Sequence, residues 1–246
     1  MTTLNPNTTD LPACWRDAND VLASGLDRLL LFGPPGTGKT YAGLNYGQVQ
    51  AGAFRLVCTE DMTSADVTGC WMPSANGQWE WLDGQAVKAW RGDGLTGGRL
   101  VVDEVDKASG DVFALLLAVT DSIESAAWEH PQSGRIERPR DGFSVVMTTN
   151  VEDMRDLPEA LIDGFPVQIR INEPHPAALA RLSLDLRDYA RRAADLGPGR
   201  RISLRTFYAF DALRKQLGDE ERAANIVFRD GAQSILDAIR VDRVAA

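Results

Sequence analysis

Gly33-Pro34-Pro35-Gly36-Thr37-Gly38-Lys39-Thr40 fits G-x-x-x-x-G-K-[ST], a set of residue types able to hold a chain of phosphates. Glycines let backbone N–H groups converge on phosphate oxygens, and a helix N-terminus behind the loop adds positive potential. Lys39 can reach the β- and γ-phosphates of a nucleotide, and the Thr40 hydroxyl can ligate Mg2+. A second pattern, Leu100-Val101-Val102-Asp103-Glu104, delivers two acids at the end of an apolar run. In that setting Asp103 would hold Mg2+ through water, and Glu104 would polarise an attacking water. A third run, Val145-Val146-Met147-Thr148-Thr149-Asn150, ends in an amide. Asn150 can orient that water or touch the γ-phosphate; on its own the same residue reads as a turn initiator.

Such groups work together only if strands deliver them to one edge of a sheet. Short apolar or β-branched runs lie at Arg28–Phe32, 54–58, Arg99–Asp103, Ser144–Thr148 and 167–171. Helix-like segments at 39–50, 111–123 and 157–162 alternate with them, which predicts an α/β fold with a mainly parallel sheet. After Asn172-Glu173-Pro174 the pattern is helical throughout, with Ser203 as an N-cap and Gly218 as a stop. The expected layout is a flexible start over 1–19, an α/β core over 20–172 and a small helical lid over 173–246. A turn at Leu196-Gly197-Pro198-Gly199 would divide two of the lid helices.

Composition narrows the chemistry. His130 and His175 are the only histidines, which leaves a histidine metal site or a Ser/His triad almost no material, and both read as solvated or structural. Cys14, Cys58 and Cys70 form no CxxC pair and read as reduced thiols in a cytoplasmic protein. Residues 1–10 lack the layout of a secretory signal, and no apolar run is long enough for a membrane span. A net charge of −9 argues against non-specific nucleic-acid binding. The basic clusters at 135–140 and 191–201 read as a solvated loop and a helix end.

With three strand ends in this order, the chain resembles the AAA+ superfamily of P-loop NTPases over about residues 20–215, and within it the MoxR and dynein-related group. The segment Glu60 to Gly69 is similar to the family's stretch after its second strand. Gly77-Gln78-Trp79-Glu80-Trp81-Leu82-Asp83-Gly84 resembles the group's inserted hairpin, placed at about 69–84, and a second hairpin is expected at about 128–143. Asp103-Glu104-Val105-Asp106-Lys107-Ala108 resembles an extended Walker B, and Asn150 matches sensor 1. Ser203-Leu204-Arg205 resembles sensor 2, so the resemblance implies that Arg205 contacts the γ-phosphate.

One departure stands out. Where the family runs Asp-Arg-Phe, this chain has Asp163-Gly164-Phe165, so the arginine that reaches a neighbour's nucleotide is missing; Arg155 and Arg170 lie nearby, off the family position. The resemblance implies ATP and Mg2+ as ligands and a homo-oligomeric ring, such as a hexamer, or a hetero-oligomer. It also implies a protein client that the ATPase remodels or activates, as a MoxR-like chaperone does. The missing arginine keeps open a slow or non-hydrolysing nucleotide switch, and a motor subunit acting on nucleic acid is a weaker alternative that the acidic balance disfavours. Trp79 and Trp81 would share one face of a strand, either touching a partner or a ring pore or packing the insert onto the core; Trp90 reads as core.

Overall fold

The structure, a computed structural model, describes residues 11–47, 49–194, 196–197 and 199–245, with no side chain described beyond 241. The chain folds as two compact units. One is an α/β unit over Asp17–Gly33 and Lys39–Arg170; the other is a helical unit of the described parts of Met1–Arg16, Pro34–Gly38 and Ile171–Ala246.

Five parallel strands form the sheet of the α/β unit: β1 (Arg28–Phe32), β2 (Ala53–Val57), β5 (Arg99–Asp103), β8 (Ser144–Thr148) and β9 (Gln168–Arg170), in the order β2-β5-β8-β1-β9. Central strands lie between covering layers on both faces, so their sequences are continuous apolar runs and not alternating ones. Leu29, Leu30 and Leu31 of β1 and all five residues of β5 are buried accordingly. Helices α2 (Lys39–Asn45), α4 (Gln85–Arg91), α5 (Gly110–Val119) and α6 (Glu159–Gly164) connect the strands. The chain leaves β1 for the β2 edge and later returns past β1 to β9, so the order reverses between β1 and β8. Ligands of open α/β sheets bind at the carboxyl ends of strands beside such a reversal.

Two hairpins interrupt this pattern. After the short helix α3 (Ser64–Thr68), β3 (Gly69–Pro73) and β4 (Trp79–Asp83) pair antiparallel, with Trp71 opposite Trp81. Gly69 and Gly84 close the base, where a Cβ would meet the Leu82 carbonyl oxygen at 2.3 Å and the Val67 carbonyl oxygen at 2.4 Å. That close approach of backbones accounts for glycine at both positions. The second hairpin, β6 (Trp128–Glu129) and β7 (Ile136–Glu137), is tied to the first through Arg91, which donates to Asp83 at 2.5 Å and to Glu137 at 3.1 Å.

The helical unit contains α7 (Pro176–Leu179), α8 (Leu184–Ala194), α9 (Leu204–Leu217), α10 (Glu220–Phe228) and α11 (Ala232–Ala245) around Leu186, Phe207, Phe210, Leu236 and Ile239. Ser203 caps α9 by accepting from the Thr206 N–H, and Gly218 ends it in the left-handed conformation, the expected start and stop. No helix among the described residues is long and apolar enough to cross a membrane.

Several expectations shift. Helix α1 (Ala13–Ser24) occupies part of the stretch 1–19 expected to be flexible, and Trp15 within it is buried. The indole Nε1 of Trp15 donates to the Glu173 carbonyl at 2.8 Å, and its ring meets His175 edge-on at 5.0 Å. Helix α2 stops at Asn45, short of 50, because Arg99 donates to the carbonyls of Gly43 at 3.1 Å and Tyr46 at 2.5 Å. The α5 helix likewise ends at Val119, where the expected segment runs to 123. Residues 1–10 and Pro198 of the expected turn lie outside the described residues.

Candidate phosphate and metal site

Strand ends β1, β5 and β8 bring five of the sequence-derived candidates together in the α/β unit: Gly33, Lys39, Thr40, Asp103 and Glu104, with Asn150 just beyond β8. Lys39 is buried; its ammonium donates to the Gly33 carbonyl at 2.8 Å and to Asn150 Oδ1 at 3.2 Å. The amide of Asn150 in turn donates to Glu104 Oε1 at 3.2 Å. A line of hydrogen bonds thus joins the loop lysine, the amide and the second acid.

Asp103 is the most heavily used group. Its Oδ1 accepts from the Thr40 hydroxyl at 2.7 Å and from the Thr148 hydroxyl at 2.5 Å, and its Oδ2 accepts from Arg55 Nη2 at 2.5 Å. Burial pushes the Asp103 carboxyl up, but the Thr148 and Thr40 hydroxyls and the Arg55 guanidinium together outweigh it, and the carboxyl titrates below its ordinary value. The group is therefore ionised at neutral pH. Cys58 feels the same acids: burial first, then the charges of Asp103, Asp106 and Glu104, push its thiol up to about 12, so it is no nucleophile.

Glu104 sits in the left-handed region at φ 57° and ψ 48°, one of two non-glycine residues with positive φ among those described. Such a backbone costs about 1 kcal/mol or more and persists where surroundings impose it. Here the Glu104 N–H donates to Thr148 Oγ1 at 3.3 Å, the same hydroxyl that holds Asp103. No motif singles out Thr148 or Arg55, although both hold Asp103. The available signals were a threonine two residues before Asn150 and a lone cation inside an otherwise apolar strand.

The remaining candidates lie in the helical unit. The loop residues Pro34, Pro35, Gly36, Thr37 and Gly38 form a tight turn in which Thr37 Oγ1 donates to the Pro34 carbonyl at 3.1 Å. Gly36 and Gly38 have φ of 79° and 111°. A Cβ on Gly36 would come within 3.1 Å of Ser203 Cβ, and one on Gly38 would rest at 3.7 Å on the Trp15 ring. Arg205 is exposed in the first turn of α9.

Comparison with known proteins gives the family. A family model described as AAA domain (dynein-related subfamily) matches residues 28–165, more than half of the chain. The chain belongs to that family. Nucleotide binding comes with membership, and the parallel five-stranded sheet followed by a helical region is the fold of AAA+ P-loop NTPases. No curated protein matches the chain. Among solved structures, NtrX from Brucella abortus is 12% identical with a TM-score of 0.51, over 92% of this chain and 47% of that one. A candidate ATPase from Cytophaga hutchinsonii is 16% identical with a TM-score of 0.45, over 88% of this chain and 64% of that one. The chain of this AAA-domain protein thus spans less than two thirds of either.

Two residues of the α/β unit fit a divalent cation. Thr40 and Asp103 present a hydroxyl and an ionised carboxylate already in contact, hard oxygen donors of the kind Mg2+ takes while keeping several waters.

Proposed function

We propose that this AAA-domain protein is an ATP hydrolase that works as a ring of subunits and remodels or activates a partner protein, in the manner of the MoxR-like group. The contact of Thr40 with Asp103, beside the line from Lys39 through Asn150 to Glu104, is the observation that carries it.

The roles follow from charge and position. Lys39, with the backbone of Gly33 to Gly38, binds the phosphates of ATP. Thr40 and Asp103 would hold Mg2+, which when bound neutralises charge on the phosphoryl group in transfer. Asn150 fixes one oxygen of Glu104, and the other is left to take a proton from water as that water attacks. The likeness of Ser203-Leu204-Arg205 to sensor 2 assigns Arg205 to the γ-phosphate.

A second reading, a slow nucleotide switch, is favoured by one specific observation. Gly164 ends α6 where relatives carry an arginine, and a Cβ there meets nothing within 4 Å. The nearby arginines are engaged otherwise: Arg155 is held by Asp153, and Arg170 lies 3.9 Å from Glu152.

ATP turnover per subunit, measured against protein concentration for wild type and Glu104→Gln, tests the proposal. A rate that rises with concentration and vanishes in the variant is expected. A rate independent of concentration would refute ring-dependent catalysis, and a wild-type rate in Glu104→Gln would remove Glu104 from the reaction.

A further inference from the structure

We propose that Arg55 competes with a divalent cation for Asp103 and so sets the metal concentration at which the site loads. The inference rests on the reading of Asp103 as the metal-side carboxylate.

The placement follows from the register of the edge strand. Arg55 pairs with Val101, so it stands two residues behind Asp103 on the same face of the sheet. Two residues of strand span about 6.6 Å, a gap that a long side chain can bridge and a short one cannot. Its guanidinium lands on Asp103 Oδ2, the oxygen that neither threonine uses.

The two partners differ in exposure. The Asp103 side chain is 8% exposed and the Arg55 side chain 48%. The carboxylate is therefore fixed in the fold, while the guanidinium can leave through solvent. It holds Asp103 by one nitrogen and not by the two-pronged grip that makes an arginine–carboxylate pair strong. A half-exposed, one-pronged pair is a weak one. On its open side Arg55 lines a cavity with two exposed acids, Asp61 and Asp66, which draw a displaced guanidinium away from Asp103, although Asp66 also caps α3 through Thr63.

A divalent cation brought to Asp103 meets this positive charge first. Either the guanidinium moves towards the acidic cavity or the two cations repel across a few ångströms. Both routes raise the metal concentration needed. Arg55 thereby also keeps the buried carboxylate compensated when nucleotide is absent, which removes the cost of an unpaired buried charge.

The test uses the whole chain and a fluorescent ATP analogue, with affinity measured in EDTA and over a series of Mg2+ concentrations. Arg55→Gln and Arg55→Met should each lower the Mg2+ midpoint by about threefold or more, the worth of a partly exposed ion pair. Affinity in EDTA should stay within about twofold, because the proposal gives Arg55 no phosphate to bind. An unchanged or higher midpoint overturns the competition, as does a loss of affinity in EDTA, which would make Arg55 a phosphate ligand. Asp103→Asn separates the two layers. Loss of Mg2+ dependence in Asp103→Asn with no effect of either Arg55 variant would sink the competition alone. Wild-type Mg2+ dependence in Asp103→Asn would remove the metal-side reading on which it rests.

Discussion

The Thr148 hydroxyl lies 2.5 Å from Asp103 Oδ1 and accepts from the Glu104 N–H at 3.3 Å, so one side chain on β8 orients both acids at the end of β5. Thr148→Val keeps the shape and removes the hydroxyl, leaving a buried carboxylate short of a donor and the left-handed Glu104 without its anchor. Stability should fall by about 1–3 kcal/mol. Turnover should fall by about tenfold or more, because the two acids no longer hold their geometry. Thr148→Ser should restore most of both. A thermal melt beside a turnover assay checks this, and an active Thr148→Val would show that the acids need no such support.

Gly164 offers a test of how fast the wild type can be. The position is helical, so an arginine adopts its backbone without strain, and its Cβ enters open space. If subunits pack as in the family, Gly164→Arg supplies a guanidinium to the transferring phosphoryl group and raises turnover by about tenfold or more, with ATP affinity little changed. Turnover equal to wild type in Gly164→Arg, together with loss of turnover in Arg155→Ala or Arg170→Ala, would assign the finger to one of those arginines.

The two tryptophans of the insert strand β4 differ in exposure. Trp79 is 65% exposed, whereas Trp81 packs against Trp71, Trp128 and His130 with ring centroids 5.7–5.8 Å apart. Trp79→Ala should therefore leave the melting temperature within about 1 °C while reducing partner-dependent activity. Trp81→Ala should cost stability, by about 1–3 kcal/mol at this partly covered site. Equal effects of the two on stability would contradict the division.

Asp211 in α9 is the clearest source of acid sensitivity. It accepts from the Ser183 N–H and hydroxyl at 3.1 Å, from Arg214 at 2.8 Å and from Lys215 at 2.8 Å. Burial raises its pKa, but these donors more than offset that, and the carboxyl titrates below its ordinary value. A depressed folded-state pKa contributes stability that is present above the unfolded value, about 3.9, and lost as pH falls through the folded one. Denaturant melts should show Asp211→Asn less stable than wild type at pH 7, with the gap closing below about pH 4. A gap that persists to pH 2 would refute the linkage.

Much of the site was legible because it is built from strand ends. Strands β1, β5 and β8 are buried on both faces and stop at Phe32, Asp103 and Thr148, so their bounds could be read from apolar runs. What escaped reading depends on partners distant in sequence. Helix α2 ends early because Arg99, 53 positions beyond Tyr46, takes its last carbonyls. Trp15 is ordered by a carbonyl 158 positions away. Arg55 gains its meaning only from the register that sets β2 beside β5. Trp90, expected in the core, is buried there and donates to the Val119 carbonyl at 3.0 Å.

Lys39 bears most directly on the proposed nucleotide binding, because its buried ammonium at the start of α2 joins the Gly33 carbonyl to Asn150 beside the two acids. Equilibrium binding of a fluorescent ATP analogue to wild type and to Lys39→Ala, with folding of both checked by circular dichroism, is the deciding measurement. Saturable binding by the wild type is expected, with a loss of about 30-fold or more in the variant, the cost of removing a buried charged partner. Equal affinity in the two proteins, or no binding by the wild type, would contradict a phosphate site built on Lys39.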